Sequence, residues 1–108
     1  MALGSRALYE MEAETLIARR LAELRSLTFA QASALPEAAG QEIVVAGRKC
    51  ALTTFRQNVT PKEILVTVQV AKRTSLGFGS RHTERGLIFT PNGSLREASR
   101  HELLMFGG

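Results

Sequence analysis

The residues best suited to chemistry stand close together. From Lys72 to Gly86 the chain reads KRTSLGFGSRHTERG, which gathers Arg73, Arg81, Arg85, His82, the aromatic Phe78 and several glycines into one short span. Basic side chains among glycines suit phosphate or nucleic acid, and known templates fix where each residue must stand. A dinucleotide fingerprint needs a third glycine three residues after the second, so that helix and strand can pack closely, and His82 occupies that position. A phosphate-binding loop needs Gly-Lys followed by Ser or Thr, and the chain has no such triplet. The spacing His82-Thr83-Glu84 suits a zinc deaminase, which also requires Pro-Cys-x-x-Cys, and Cys50 is the sole cysteine. His101-Glu102 begins like a zincin helix, but the second ligand position is Met105. Two histidines and one cysteine cannot complete a structural zinc site without carboxylates. No metal and no cofactor is therefore expected, and no catalytic residue is assigned.

The Gly77-Phe78-Gly79 triplet is similar to the Gly-aromatic-Gly centre of the strand with which RNA-recognition motifs stack bases. The resemblance ends there. Leu76 replaces the basic residue, and Ser80 and Thr83 stand where further aromatics would supply stacking faces. Arg73, Phe78, Arg81, His82 and Arg85 remain as candidate binding residues. Cys50 is expected in a strand, beside Val45 on a buried face and with Lys49 turned the other way, where a thiol acts as a small hydrophobe.

These residues must be positioned by the surrounding elements. From Arg6 to about Leu27, Ala13, Leu16, Ile17, Leu21, Leu24 and Leu27 share one stripe at helical period, so a helix is expected over 6–28 with Ser5 as its cap. Arg20 falls within that stripe and must reach past the core edge or meet a carboxylate. Residues 29–40, ending in Pro36 and Gly40, read as a connector with at most a helical turn. Residues 41–106 then read as an antiparallel sheet region. QEIVVA and KCALTTFRQ flank Gly47-Arg48, which predicts a type II′ hairpin pairing Val45 with Cys50 and Ile43 with Leu52, while Val44, Ala51 and Phe55 face the other side.

Alternation of Ile64, Val66, Val68 and Val70 with Leu65, Thr67, Gln69 and Ala71 marks the clearest strand. Leu76 and Phe78 continue the alternation, so this strand is expected to run into the glycines and bend there. GLIFT is a further strand, and Thr90-Pro91-Asn92-Gly93 suits a type I turn closed by a glycine bulge. That turn favours a hairpin into SLREAS over a rival helix from Ser94 to Phe106, whose Ser94 and Glu97 have capping-box spacing. The expected fold is one α+β domain over residues 1–108. A long N-terminal helix lies on a four- to five-stranded antiparallel meander, a two-layer sandwich similar to cystatin-like domains in element order alone.

With 108 residues the chain buries roughly 65% of its unfolded surface, enough for a core without a disulfide or metal. No apolar run approaches the ~20 residues of a membrane span, and the lone cysteine suits a reducing cytoplasm. The net charge is +4 and unevenly spread: residues 1–40 carry four Arg against five Glu, and residues 41–108 carry ten Lys and Arg against five Glu. Three functions compete. One is a cytoplasmic binding or assembly module that meets another copy or a protein partner through the second sheet face, which a single helix cannot cover, with the apolar Leu103-Leu104-Met105-Phe106 tail in support. Another is nucleic-acid binding by Arg48, Lys49, Arg56, Lys62, Lys72, Arg73, Arg81 and Arg85. The last is a ligand or catalytic pocket between helix and sheet, with Arg20, Tyr9 or His82 as polar contacts. The assembly module is the preferred reading, and an enzyme the least favoured.

Overall fold

The computed structural model describes residues 4–74 and 77–106, and the side chains of these apart from 5, 73, 74, 77–82 and 106. The elements in chain order are α1 (Ser5–Leu24), α2 (Phe29–Ser33), β1 (Ala38–Val45), β2 (Arg48–Thr60), β3 (Glu63–Thr74), β4 (Gly77–Phe89), β5 (Leu95–Glu97) and α3 (Arg100–Phe106). The strands form one antiparallel sheet in the order β1-β2-β3-β4-β5, each paired with its neighbour in sequence. The expected α+β arrangement of a long N-terminal helix on an antiparallel meander is what the chain adopts.

Helix α1 buries Tyr9, Ala13, Ile17, Leu21 and Leu24, which recur every three or four residues along one stripe. Its N-cap is Gly4, without a side-chain cap bond, so the expected cap at Ser5 is one residue late. The helix also ends before Leu27. Thr28 opens α2 instead, its hydroxyl accepting from the Gln31 N–H while the Gln31 side chain accepts from the Thr28 N–H. This reciprocal capping box puts a helix inside the stretch read as a connector, and β1 begins there too, at Ala38.

The first hairpin differs from the expectation by two residues in register. Its loop is Ala46-Gly47, both with positive φ (50° and 76°), so the turn is type I′; Val45 pairs with Arg48 and Ile43 with Cys50. The Glu12 carboxylate accepts from the Ala46 N–H and ties this turn to α1. A slip of two preserves which side chains share a face, so Val45 and Cys50 are still buried together. The Thr90–Gly93 turn forms as expected, with the Gly93 N–H donating to the Thr90 carbonyl at 3.1 Å and Gly93 at φ 88°.

After that turn both rival readings are realised in sequence. Leu95–Glu97 adds a short strand, and Arg100–Phe106 then forms a helix, which corrects the assignment of residues up to 106 to the sheet region. The capping box is at Ser99 and Glu102, not at Ser94 and Glu97. The Ser99 N–H donates to Glu102 Oε1 at 2.9 Å, and the Glu102 N–H donates to Ser99 Oγ at 3.1 Å. Arg96 holds the same carboxylate through two nitrogens at 2.7 Å, and this hydrogen bonding lowers Glu102 from 4.5 to about 2.

The register sorts side chains onto two faces. Val45, Cys50, Leu52, Ile64, Val66, Val68, Val70, Leu87 and Phe89 turn towards α1 and form the main core. Each such aliphatic side chain contributes roughly 1.5–3 kcal/mol on full burial. On the opposite face Leu65, Ile88, Ala98 and Leu103 make a smaller cluster beneath α3. Gly86 is the seat of that helix. A Cβ placed there would stand 3.0 Å from Leu103 Cδ2, 3.0 Å from Leu65 Cδ1 and 3.1 Å from the Val66 carbonyl oxygen.

Candidate functional site

The span from Lys72 to Gly86 is a reversal of the chain between two strands. Strand β3 ends at Thr74 and β4 begins at Gly77, with Thr74 opposite Gly77, Arg73 opposite Phe78 and His82 opposite Ala71. Phe78 thus belongs to the returning strand, not to a continuation of β3; Leu76 lies outside the described residues. The pairing of the two strands shifts in register between Ala71 and Arg73. The side chains of Arg73, Phe78, Arg81 and His82 lie outside the described residues. Arg85 is described, and its Nε stands 2.6 Å from Glu97 Oε1. That hydrogen bond raises Arg85 and lowers Glu97 from their ordinary values, so the guanidinium serves to hold β5 on β4.

The other described cations of the basic region are spread apart. Arg56 Nε donates to the Leu35 carbonyl at 2.6 Å and fastens the segment before β1. The Lys72 ammonium sits 4.3 Å from the centroid of the Tyr9 ring. Arg48 and Lys49 are exposed at the start of β2, and Lys62 is exposed beyond its other end, about 40 Å away along a 13-residue strand.

Between α1 and the sheet the space is largely filled. Tyr9 is 7% exposed and Cys50 is fully buried. Open clefts lie at both flanks, one of about 420 Å³ lined by Leu16, Arg19, Arg20, Gln41 and Thr54 among others, and one of about 790 Å³ lined by Glu10, Glu14, Thr83, Arg85 and Arg100 among others. In the first, Arg20 donates from Nε to Thr54 Oγ1 at 3.3 Å and pairs through Nη1 with Glu23 at 3.1 Å. The arginine in the apolar stripe therefore reaches the edge of the core and a carboxylate there. Among the described residues no three His, Cys, Asp or Glu side chains gather as a metal site would require.

Among the described residues, the surface left without cover is the second sheet face over β1 and β2, together with the outer edge of β1. Ala38, Gly40, Glu42 and Val44 of β1 are exposed on that face, and Ala51, Thr53 and Phe55 of β2 are half-buried beside them. Glu42 and Lys49 are the charged residues among these positions of β1 and β2. Val44, 66% exposed, borders a groove of about 300 Å³ with Leu8 (40%) and Met11 (56%) on α1. The two-sided apolar character of β2 is legible in its sequence. Leu8 and Met11 escape that reading because they lie off the main helical stripe, though their spacing of three marks a second stripe. In the C-terminal tail Leu103 is buried, while Leu104 and Met105 are exposed.

Comparison with protein-family models, with curated proteins and with solved structures finds no match to this chain. Among the described residues no helix is long and apolar enough to cross a membrane.

Proposed function

We propose that this protein is an assembly module that associates with a second copy of itself through the second face of its sheet. The observation that carries this reading is the uneven cover of that face. Helix α3 shields Leu65 and Ile88, whereas among the described residues Val44 is exposed and Ala51, Thr53 and Phe55 are half-buried outside that cluster. A flat surface of small and apolar side chains, with its charges at the margin, desolvates at low cost and suits face-to-face packing. Thr53 lies inside this surface, half-buried between the Gly40 and Gln69 positions of its neighbours. Sedimentation at micromolar concentration tests the idea. The native chain is expected to self-associate, and Thr53→Glu, which buries an unpaired charge in the contact, is expected to lose the face-to-face contact and sediment at lower mass while staying folded. A native chain that stays monomeric, or a Thr53→Glu variant that sediments at the native mass, overturns it.

A further inference from the structure

A second copy can also be met at the edge of the sheet, a contact separate from the face. Strand β1 is an edge strand of the sheet, eight residues long. Edges of this kind are ordinarily blunted by lysine, proline or a bulge. Between Ala38 and Val45 there is no lysine and no proline, and the pairing with β2 runs without a register shift. The hydrogen-bonding direction of each residue follows from the turn. In a two-residue hairpin the residues flanking the loop exchange both backbone bonds, so Val45 bonds to β2. At the other end the Glu37 carbonyl accepts from the Arg56 N–H at 3.0 Å, which fixes the same parity. Odd-numbered residues therefore bond inward to β2, and Ala38, Gly40 and Val44 direct their N–H and C=O groups outward.

From this geometry we infer that β1 pairs antiparallel with β1 of a second copy about a two-fold axis at Gln41, making one continuous ten-stranded sheet. The inference shares with the reading above only the premise that the chain meets a copy of itself. Outward-facing residues must oppose outward-facing residues, which restricts the centre of the pairing to a few positions. A centre at Glu42 sets two carboxylates directly opposite each other, which is unfavourable. A centre at Gly40 sets Val44 against Pro36, which has no N–H to give. A centre at Gln41 sets Ala38 against Val44 and Gly40 against Glu42, and uses nearly the whole strand. It also sets each Glu42 opposite a glycine rather than opposite a second carboxylate.

The apolar groove supplies an independent reason for this register. Beyond the Ala38–Val44 pair, the second copy continues through Glu37 and Pro36 towards the end of the sheet where Leu8, Met11 and Val44 are exposed. The same association that satisfies the edge would thus cover the most exposed apolar side chains next to it. Edge pairing gives the backbone bonds, and the apolar patch gives the burial that such an edge alone lacks.

Cysteine crosslinking tests the register directly. Gln41 would face Gln41 of the second copy in a pair with Cβ atoms about 4.5–5.5 Å apart, near enough for a disulfide after small adjustment. The Ala39 positions of the two copies would be about 13 Å apart. Under mild oxidation Gln41→Cys is expected to become a covalent dimer, and Ala39→Cys alone is expected to stay uncrosslinked. A mixture of Ala39→Cys and Ile43→Cys should crosslink as a heterodimer. The native chain, with Cys50 fully buried, is the control for background oxidation. Val44→Lys, at an exposed position, should weaken dimerisation by about tenfold or more without unfolding the monomer. Equal crosslinking of Gln41→Cys and Ala39→Cys overturns edge pairing. If Thr53→Glu still lowers the sedimenting mass in that case, assembly through the face stands alone; if Gln41→Cys crosslinks and Thr53→Glu sediments at the native mass, the edge stands and the face falls.

Discussion

The two faces of this sheet are closed by different means. Against α1, the strands present a mainly aliphatic surface that includes Val45, Leu52, Ile64, Val66, Val68, Val70 and Leu87, and the helix answers with Ala13, Ile17, Leu21 and Leu24, all buried. On the other face α3 rests on Leu65, Ile88 and the bare backbone of Gly86, and it is anchored by polar contacts of Ser99, Glu102 and Arg96. The first arrangement depends on apolar volume and the second on local fit. A protein built this way has one face whose loss unfolds it and another that can be altered while the sheet survives.

The largest expected effect is on the face covered by α1. Ile17 is fully buried at the middle of the helix. Ile17→Ala removes its methyl groups and leaves a cavity among strand side chains that cannot collapse, at a cost of about 2–5 kcal/mol. Chemical denaturation should show one cooperative transition at lower denaturant with the slope unchanged. A cost below about 1 kcal/mol would mean that α1 is not the principal cover of the sheet.

A smaller and more local effect is expected at Gly86. Valine there would drive side-chain atoms into Leu103, Leu65 and the Val66 carbonyl, and of these Leu103 on the short helix is the easiest to displace. Overpacking of this kind costs about 1–3 kcal/mol. Hydrogen exchange should show α3 opening ahead of the strands, whereas Ile17→Ala should lower protection throughout. If Gly86→Val lowers protection in α1 and α3 alike, the two faces are not independent.

The sequence shows the first face far more readily than the second, and the reason is physical. The stripe from Ala13 to Leu24 and the alternation from Ile64 to Val70 are repeated patterns, and a repeat survives small errors in register. The hairpin at Ala46-Gly47 shows how much survives: a slip of two residues leaves every side chain on its face. What it changes is the turn type, which depends on φ at Ala46 and on the carboxylate of Glu12, 34 residues earlier in sequence. The C-terminal elements carry no repeat. Ser94 with Glu97 and Ser99 with Glu102 have the same capping-box spacing, and the second is used because Leu95 pairs with Phe89 and the glycine at 86 leaves room for Leu103. The exposed edge of β1 follows from strand order, which no local pattern encodes. Of the five candidate binding residues, Arg85 has a described side chain, and its engagement with Glu97 depends on β5 being a strand.

The smallest expected effect tests a flaw on the well-packed face. Tyr9 is the single tyrosine of a chain without tryptophan, and among the described residues its buried hydroxyl has no partner at hydrogen-bond geometry. The Cys50 thiol beside it donates instead to the Arg48 carbonyl, 3.6 Å away. Burial, reinforced by the neighbouring thiol, pushes the Tyr9 hydroxyl up from 10.0 to about 12. Because the folded value lies above the unfolded one, ionisation favours the unfolded chain. Stability is therefore complete below pH 10 and declines as pH rises towards 12. Tyrosinate absorbance, which has one source here, should appear in the native protein well above its midpoint in urea. Tyr9→Phe keeps the ring beneath Lys72 and removes the stranded hydroxyl, so it should stabilise the protein by about 0.5–1 kcal/mol and abolish that alkaline decline. A destabilised Tyr9→Phe would show that the hydroxyl has a partner in solution, and the face against α1 would then hold a polar contact like those that anchor α3.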